Sequence, residues 1–283
     1  MKLSITAVTL SILLSVCAAQ PTRTTKTAPK TKAAPTTKPA PTCDEDTREI
    51  LERMEGAGKE FKTLEAKITY KQTNTTLGDS ELRTGWVAYQ AATTTESGGK
   101  TVKISPMFRL HFETIRMGRG KTIKEPVDYA YDGKNLTVAR ARTKTVTRFQ
   151  LPPGAQGANM LQLGKGPMPL PFGQKASDMI KFFVCTRRPN KKTDPKDTVY
   201  LSLVPRKEHA KNLSTQYIHM WVSNATWAPV KIVTRDKSKN VITSSFTKPL
   251  VNSVLKRSLF TIPKPLTWKL IIQPLRPGQD IKP

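Results

Sequence analysis

The sequence predicts an α+β fold that is mainly β, with one antiparallel sheet preceded by a helix. Roughly eleven short segments alternate apolar with polar residues, which is the period of a strand that buries one face. Short connections join most of these segments, as antiparallel neighbours allow. No helical pattern of about 10–15 residues alternates with the strands, so a parallel α/β sheet is not expected. We therefore expect one sheet-based domain over 43–283.

The N-terminus has the features of an export signal. Leu3–Val16 is an apolar run of the length of a signal-peptide core. Small residues at its end predict cleavage, which makes 1–19 a signal peptide. Cys17 also ends a stretch that resembles a lipoprotein box, in which it would be acylated, although Val16 is bulkier than such boxes usually carry. Both alternatives stay open, and both place the mature protein outside the cytoplasm.

A spacer over 20–42 separates this signal from the folded part. It is rich in Thr, Pro, Lys and Ala and has no large apolar residue to bury. Its prolines favour an extended, solvated backbone. We expect a disordered tether that ends where the domain begins, at Cys43.

The chain is strongly basic. It has 47 Lys and Arg against 21 Asp and Glu, a formal net charge of +26. Six of the basic residues and none of the acidic ones precede Cys43, so that 43–283 carries +20. This excess favours acidic surroundings such as anionic lipid headgroups, acidic polysaccharide or nucleic acid. The charges are scattered along the strands and turns, which is more typical of a solvated face than of a binding patch.

Patterns of catalytic or metal-binding residues are missing from the sequence. The three histidines form no HExxH motif, and there is no G-x-S-x-G elbow or phosphate-binding loop. We expect no enzyme, no metal and no cofactor. Phe108, Leu110 and Phe112 share one face of a predicted strand, which indicates a buried face and not a platform for stacked bases. We therefore expect no nucleic acid partner.

The predicted elements begin with an amphipathic helix over Thr47–Gly58, which has acidic residues in its first turn and glycines at its end. A short strand at Thr101–Ile104 is a weaker prediction. Outside the Val127–Leu151 segment, the other predicted strands are Glu65–Gln72, Glu81–Gln90, Met107–Thr114, Thr198–Val204, Thr215–Val222, Pro229–Arg235, Val241–Thr247 and Val254–Ile262.

Val127–Leu151 predicts three consecutive antiparallel strands. Val127, Tyr129 and Tyr131 alternate with polar or small residues, and Asp132-Gly133 supplies turn chemistry. Two further alternating runs follow, separated by a second short turn. Such a meander forms a sheet but contains no catalytic group, which favours a binding function over a chemical one.

Pro152–Arg188 interrupts the strands with a long segment rich in Met, Leu, Phe and Pro. Its last part has a helical apolar face formed by Ala176, Met179, Ile180 and Phe183. From the residues alone, the segment is either core packing under a loop or a lid over a cavity.

Cys43 and Cys185 form an even pair once the leader is removed from an exported chain. They are candidates for a disulfide that joins the first helix to the mid-chain segment. Free thiols are the alternative. Their spacing excludes CxxC redox and zinc motifs.

The order of these elements resembles the LolA-like family of outer-membrane lipoprotein carrier proteins and their lipoprotein-sorting relatives. The resemblance covers about Asp46–Pro265, and the order and spacing of short motifs carry it. These motifs are a helix leading into a strand (ILERMEGAGKEFKTLEAKITYKQ), a Gly-Trp strand (RTGWVAYQ), a Pro-x-x-Phe strand start (SPMFRLHFE), a "DGK-x-L" hairpin (DYAYDGKNLTVARARTKTVTRFQL) and a terminal Phe-Thr-hydrophobic-Pro strand (SLFTIPKP).

The resemblance implies a strongly curved, open antiparallel sheet, a half-barrel, with helices covering its concave face. It implies an apolar cavity for acyl chains and favours a lid at Met160–Phe183. The candidate cavity residues on the sheet are Ile68, Tyr70, Trp86, Phe108, Leu110, Phe112, Tyr129 and Tyr131. The candidates on the lid are Leu161, Met168, Leu170, Phe172 and Met179. For each of them the alternative is ordinary core packing.

One position departs from the family pattern. In the family's carriers an Arg precedes the Pro of the Pro-x-x-Phe motif and helps hold the lid, whereas Ser105 stands there in this chain. Handover of cargo by that switch is therefore in doubt, and a lid held through Cys43–Cys185 or a more general lipid-binding role stays open. The long spacer and the basic charge suit work close to an anionic membrane surface.

The function expected from the resemblance is that of an exported, periplasmic carrier of lipid or lipoprotein acyl chains, in outer-membrane lipoprotein sorting. The protein would be a monomer, anchored to the membrane if Cys17 is acylated. Its partners would be acyl chains, a membrane surface and an envelope donor or acceptor protein. The alternative is a structural protein of the cell envelope that binds anionic polymer or a membrane surface through its basic charge.

Overall fold

The computed structural model describes residues 43–91, 93–97, 100–151 and 174–275, and gives only the backbone of 93–97 and 100–104. Neither helix within these ranges has the length and apolar character needed to cross a membrane. Some expectations lie outside the described residues, namely the signal peptide over 1–19, the spacer over 20–42, Cys17, and the lid positions Leu161, Met168, Leu170 and Phe172.

Helix α1 spans Glu45–Glu60 and confirms the predicted helix, with two more residues at each end. It begins at Asp44, whose carboxylate accepts a hydrogen bond from the backbone N–H of Thr47 at 2.7 Å. Hydrogen bonds from the side chain and the backbone of Thr47 lower the pKa of Asp44. The apolar spacing of the helix places a single face against the sheet. That buried face consists of Thr47, Ile50, Leu51 and Met54.

Fourteen strands and a second helix complete the described part of the chain. The strands are β1 (Thr63–Asn74), β2 (Ser80–Gln90), β3 (Thr93–Ser97), β4 (Lys100–Ile104), β5 (Met107–Met117), β6 (Ile123–Tyr131), β7 (Leu136–Arg140), β8 (Thr145–Gln150), β9 (Phe183–Arg188), β10 (Thr198–Pro205), β11 (Thr215–Ser223), β12 (Pro229–Asp236), β13 (Asn240–Val251) and β14 (Lys269–Pro274). Helix α2 spans Ala176–Phe182, and a 3-10 helix spans Arg257–Phe260.

Twelve of these strands form one sheet in the order β14-β8-β7-β6-β5-β2-β1-β13-β12-β11-β10-β9. Every neighbouring pair is antiparallel except β14 and β8, which run parallel. The edge strands β9 and β14 do not pair with each other, so the sheet is open. Strands β3 and β4 form a separate hairpin. The predicted fold class, an α+β protein that is mainly β with an open sheet, is confirmed.

One face of the sheet carries the main core. Apolar residues from every strand of the twelve-stranded sheet except β14 join α1 and α2 in a single buried cluster. A flat sheet of this size would be roughly 50 Å wide, whereas α1 is about 24 Å long. Because one cluster unites both halves of the sheet with the helices, the sheet is curved as a half-barrel. We call the concave side the inner face and the opposite side the outer face.

The Val127–Leu151 meander has the predicted form, because β6, β7 and β8 are consecutive neighbours in the sheet. The first turn depends on Asp132, whose Oδ1 accepts hydrogen bonds from the backbone N–H groups of Lys134 at 2.9 Å and Asn135 at 2.7 Å. Gly133 has φ +91°, a left-handed conformation that glycine adopts without a steric penalty. The meander therefore forms one wall of the half-barrel.

The predicted strand at Val254–Ile262 is wrong. Residues 252–268 instead form a C-terminal strap that leaves β13 and passes over the outer face to β14. Phe260 and Ile262 anchor the strap in two small apolar clusters of that face. The apolar alternation that suggested a strand comes from residues that anchor the strap. The prolines that follow Ile262 lack a backbone N–H and cannot donate hydrogen bonds to a neighbouring strand. The last strand within the described residues is therefore β14 and not the SLFTIPKP segment.

Strands β3, β9 and β14 were not among the predicted elements, whereas β4 confirms the short strand at Thr101–Ile104. Helix α2 ends one residue before Phe183, which the helical spacing had included. The backbone N–H of Phe183 caps the carbonyl oxygen of Met179, and the chain then becomes extended. Phe183 and Cys185 point into the core as alternate residues of β9.

Candidate functional site

Seven of the eight predicted sheet positions lie on the inner face. Each is at most 5% exposed, and all belong to the main core cluster. They are Ile68, Tyr70, Phe108, Leu110, Phe112, Tyr129 and Tyr131. Strand alternation in β1, β5 and β6 places them on one side of the sheet, in which β6 and β5 are neighbours and β2 lies between β5 and β1. Their contact with a ligand stays a prediction.

Trp86 lies apart from this set, on the outer face of β2. Its neighbour Val87 belongs to the inner cluster, and alternate residues of a strand point to opposite faces. The Trp86 ring stacks on His111 with centroids 5.4 Å apart, and the Arg109 guanidinium lies 5.4 Å from its centroid. The structure thus corrects the grouping of Trp86 with the cavity residues.

Aromatic rings lie next to one another on the inner face. The ring centroids of Tyr70 and Phe112 are 5.6 Å apart, and those of Phe112 and Tyr129 are 6.5 Å apart. Phe108 and Tyr131 form a third pair at 6.1 Å. Such tilted contacts add to the stabilisation from buried area.

The far half of the inner face was not predicted as part of the site. Period-2 alternation in β10 and β11 would have found most of its residues, because these strands place alternate apolar side chains in the main cluster, to which β12 adds Ile232. These residues include Leu201, Leu203, Ile218, Met220, Val222 and Ile232. The apolar inner surface therefore extends across both halves of the sheet.

Both helices cover the inner face. Met179 of α2, the one predicted lid position within the described residues, is 2% exposed and belongs to the main cluster. The Ala176 backbone N–H donates a hydrogen bond to the Glu55 carboxylate of α1 at 2.9 Å. This bond fixes the start of α2, which lies within the predicted lid segment, against α1.

A polar group interrupts the inner face near the end of β1. Arg83 of β2 pairs across the ladder with Tyr70, and its Nε donates to the carboxylate of Glu81. The Tyr70 hydroxyl donates to Gln72 Oε1 at 3.3 Å. Burial raises the pKa of Tyr70, and it raises the pKa of Tyr129 to about 12. These phenols are therefore neutral hydroxyls at neutral pH.

Cys43 and Cys185 are both buried and face each other. The sulfurs are not bonded, and each thiol lies near enough to the other to influence its pKa. Cys43 precedes α1 and Cys185 belongs to β9, so the pair joins the two elements that the sequence indicated. Burial raises the pKa of Cys43, and it raises the pKa of Cys185 to about 12. Whether they form a disulfide stays a prediction.

A charged network holds the C-terminal strap on the outer face. Asp128 Oδ1 accepts hydrogen bonds from Arg109 Nε at 2.9 Å and lies 2.9 Å from His111 Nδ1. Arg109 Nη1 donates to the carbonyl oxygen of Leu259 in the strap at 3.1 Å. Burial acts to raise the pKa of Asp128, but the His111 hydrogen bond and the Arg109 charge outweigh it and lower that pKa. The network is therefore a structural clamp.

Two polar clefts run beside α1. The larger, of about 500 Å³, is lined by charges of both signs, including Asp46 and Arg187. The smaller, of about 310 Å³, includes Arg53, whose guanidinium lies 5.0 Å above the Trp227 ring. Charged walls of this kind do not suit an acyl chain. The described residues contain no group of three or more side chains placed to bind a metal ion.

The sequence matches no family model and no curated protein. Among solved structures, an uncharacterised conserved protein from Thermus thermophilus gives a TM-score of 0.45 at 10% identity, over 81% of this chain and 99% of its own. The Mycobacterium tuberculosis lipoprotein LppX gives 0.39 at 10% identity, over 75% and 98%. A LolA superfamily protein from Nitrosomonas europaea gives 0.32 at 12% identity, over 79% and 99%.

Proposed function

We propose that the protein is an exported carrier whose half-barrel binds the acyl chain of a lipid or of a lipoprotein. The observation that supports this most directly is the extended, mainly apolar inner face under two helices. An acyl chain gains about 25 cal/mol per Å² of apolar surface removed from water and needs few polar contacts. In this proposal Met160–Phe183 is the lid, and its Leu161, Met168, Leu170, Phe172 and Met179 contact the chain.

The full chain should bind dansyl-labelled undecanoic acid, with an increase in dansyl fluorescence. Met179→Gln should weaken this binding about tenfold, because a polar group replaces an apolar one of similar size on the inner face. Fluorescence titration measures both affinities, and native mass spectrometry of protein from its own host should show bound acylated species.

Lys181→Gln provides the matched control, since it introduces the same residue two positions away on the exposed side of α2. The affinity of this variant for the labelled acid should stay within about twofold of the affinity of the unaltered protein. Circular dichroism and urea midpoints separate lost binding from lost folding. If the unaltered protein takes up no labelled acid and carries no acylated species, the carrier function is contradicted.

We also propose that Cys43 and Cys185 form a disulfide after export. Their mutual proximity supports this. In the reaction, the two thiols lose two protons and two electrons, and a donor disulfide, such as that of a thiol–disulfide oxidoreductase, is reduced to two thiols. The bond would hold α1 to the edge strand β9 and so fix one side of the helical cover.

A second candidate function, binding of an anionic membrane surface, is favoured by the C-terminal strap and its flanks. Residues 248–274 contain five basic residues and no acidic one, and all five are exposed. They are Lys248, Lys256, Arg257, Lys264 and Lys269. In the described part of the chain none of them lies within 4.0 Å of a carboxylate.

The same region exposes aliphatic side chains. Val254 and Leu266 of the strap are each 98% exposed. Leu270 and Ile272 of β14 lie on the outer face too, because Leu270 pairs with Val146 of an outer-face cluster. Fully exposed aliphatic groups among basic residues gain burial at a lipid interface, whereas a soluble acidic polymer offers them little. This combination supports membrane binding over polymer binding.

Lys256→Gln/Arg257→Gln/Lys264→Gln should weaken binding to vesicles of equal parts phosphatidylcholine and phosphatidylglycerol. Each basic residue near an anionic surface contributes about 1 kcal/mol, so the triple variant should lose about a hundredfold in partition constant. Co-sedimentation of the full chain with the vesicles measures this, and residues 1–42 are common to all samples.

The control variant, Arg116→Gln/Arg119→Gln/Lys121→Gln, removes the same charge at the exposed end of β5 and in the turn that follows it. It should retain vesicle binding within about fivefold. Equal losses in the two variants would show a response to net charge alone, and absence of vesicle binding by the unaltered chain would exclude the function. Both sets should leave uptake of the labelled acid unchanged.

A further inference from the structure

A charged side chain is buried on the inner face without full hydrogen bonding. Arg83 is 8% exposed, although it alternates along β2 with inner residues and pairs across the ladder with Tyr70. Glu81 accepts from its Nε. Its Nη1 has no hydrogen-bond partner among the residues the structure describes, and Nη1 is itself buried. An unsatisfied, buried guanidinium nitrogen is costly and calls for an acceptor.

Tyr129 and a second arginine lie on the same face. The Arg140 guanidinium is 5.9 Å from the centroid of the Tyr129 ring. In the described chain no carboxylate lies within 4.0 Å of Arg140. Burial raises the pKa of Tyr129, whereas the charges of Arg140 and Arg83 act to lower it and that of Glu81 acts to raise it. Two guanidinium groups and one carboxylate therefore influence the Tyr129 hydroxyl in a mainly apolar wall.

We propose that Arg83, Arg140 and Tyr129 bind the anionic headgroup of the carried lipid, either a carboxylate or a phosphate, and that the acyl chain extends from there along the inner face. An oxyanion at this place accepts hydrogen bonds from Arg83 Nη1 and the Tyr129 hydroxyl and faces the charge of Arg140. This inference rests on the proposed carrier function and names its ligand class, an acyl chain that ends in an oxyanion.

The length of the inner face suits such a ligand. Tyr70, the ladder partner of Arg83, and Leu64 are both on the inner face of β1, six residues apart, which is roughly 20 Å of strand. Inner-face residues between these positions, such as Ile68 and Ala66, are apolar and buried. In this proposal the polar group contacts the headgroup of the ligand, and the apolar path contacts its tail.

The test compares an acid with its neutral ester. The full chain should bind dansyl-labelled undecanoic acid about ten- to a hundredfold more tightly than the methyl ester of the same compound. Arg83→Met keeps the length of the side chain and removes its charge and donors, so it should reduce this preference to about twofold or less while ester binding persists. Fluorescence titration gives each affinity. Arg116→Met, at an exposed position of β5, should keep the full preference.

Tyr129→Phe removes only a hydroxyl and serves if Arg83→Met does not fold; it should reduce the preference about fivefold. Lysophosphatidic acid as a competitor distinguishes a phosphate headgroup from a carboxylate one. Equal affinity for acid and ester in the unaltered protein, or an unchanged preference in the folded variants, overturns the headgroup site and leaves the carrier function intact. Absence of binding by both probes overturns the carrier function itself.

Discussion

Replacement of Cys43 by Ser is expected to lower the free energy of unfolding of the oxidised protein by about 3–5 kcal/mol. A bond between Cys43 and Cys185 would close a loop of roughly 140 residues, for which the chain-entropy relation gives about 5 kcal/mol at 25 °C. Urea unfolding of protein recovered from an oxidising compartment, with and without reductant, measures the difference.

Two variants make this prediction specific. Cys185→Ser should cost the same as Cys43→Ser, and the double variant should cost little more than either, because one bond is lost in all three. Reduced unaltered protein should resemble the variants. Peptide mapping that finds both cysteines alkylated before any reduction would contradict the disulfide.

Burial also determines when the bond can form. The thiolate is the attacking species in disulfide exchange, and burial raises the pKa of both Cys43 and Cys185. The junction is also closed by the Arg187 backbone N–H, which donates to Thr47 Oγ1 at 2.9 Å. Exchange in the closed structure is therefore slow, so the pair should form while α1 docks on β9. The formed bond should resist reductant until the domain unfolds.

Strand periodicity predicted most of the sheet, because an antiparallel strand with one buried face alternates apolar and polar residues along the sequence. The order of the strands in the sheet cannot be predicted from this alternation. Trp86 shows a further limit, since it is large and aromatic but has the opposite parity to its neighbour Val87. Residue type suggested the inner face, whereas parity along β2 gives the outer face.

The strap and β9 could not be predicted from local patterns. The apolar residues of Val254–Ile262 alternate like those of a strand, yet only Phe260 and Ile262 are buried among them, in clusters formed by distant strands. At β9, Phe183 completes a helical spacing and also begins a strand. Tertiary contacts decide both cases, because the local sequence is compatible with either conformation.

The polar end of the inner face also lay outside sequence reasoning. Arginine is rarely buried, so Arg83 in an alternating strand is assigned to solvent by default. Only the ladder, which places it opposite Tyr70, shows that it faces the core. The signal that would have helped is parity again, because Arg83 has the same parity as Val87 and Tyr89.

Replacement of Gly85 by Ala is expected to lower the free energy of unfolding by about 3 kcal/mol or more. An added Cβ would lie 1.8 Å from the carbonyl oxygen of His111 and 2.9 Å from the Cα of Phe112. These are backbone atoms of β5, which cannot move away without loss of ladder hydrogen bonds. The register of the two strands shifts at this point, where Glu113 is an extra residue of β5. Urea unfolding measures the loss, and uptake of the labelled acid should fall with it.

Gly56→Ala is the matched control, because it makes the same change in α1, where an added Cβ meets nothing within 4 Å. This substitution should raise the free energy of unfolding by about 0.5–1 kcal/mol, since alanine restricts the unfolded chain and favours a helix. If the two substitutions change the free energy of unfolding in opposite directions, the effect at Gly85 is steric. If Gly85→Ala were as stable as the unaltered protein, the close approach of β2 to β5 would be contradicted. The glycine of the Gly-Trp strand is therefore explained by the distance between two backbones, and not by a turn.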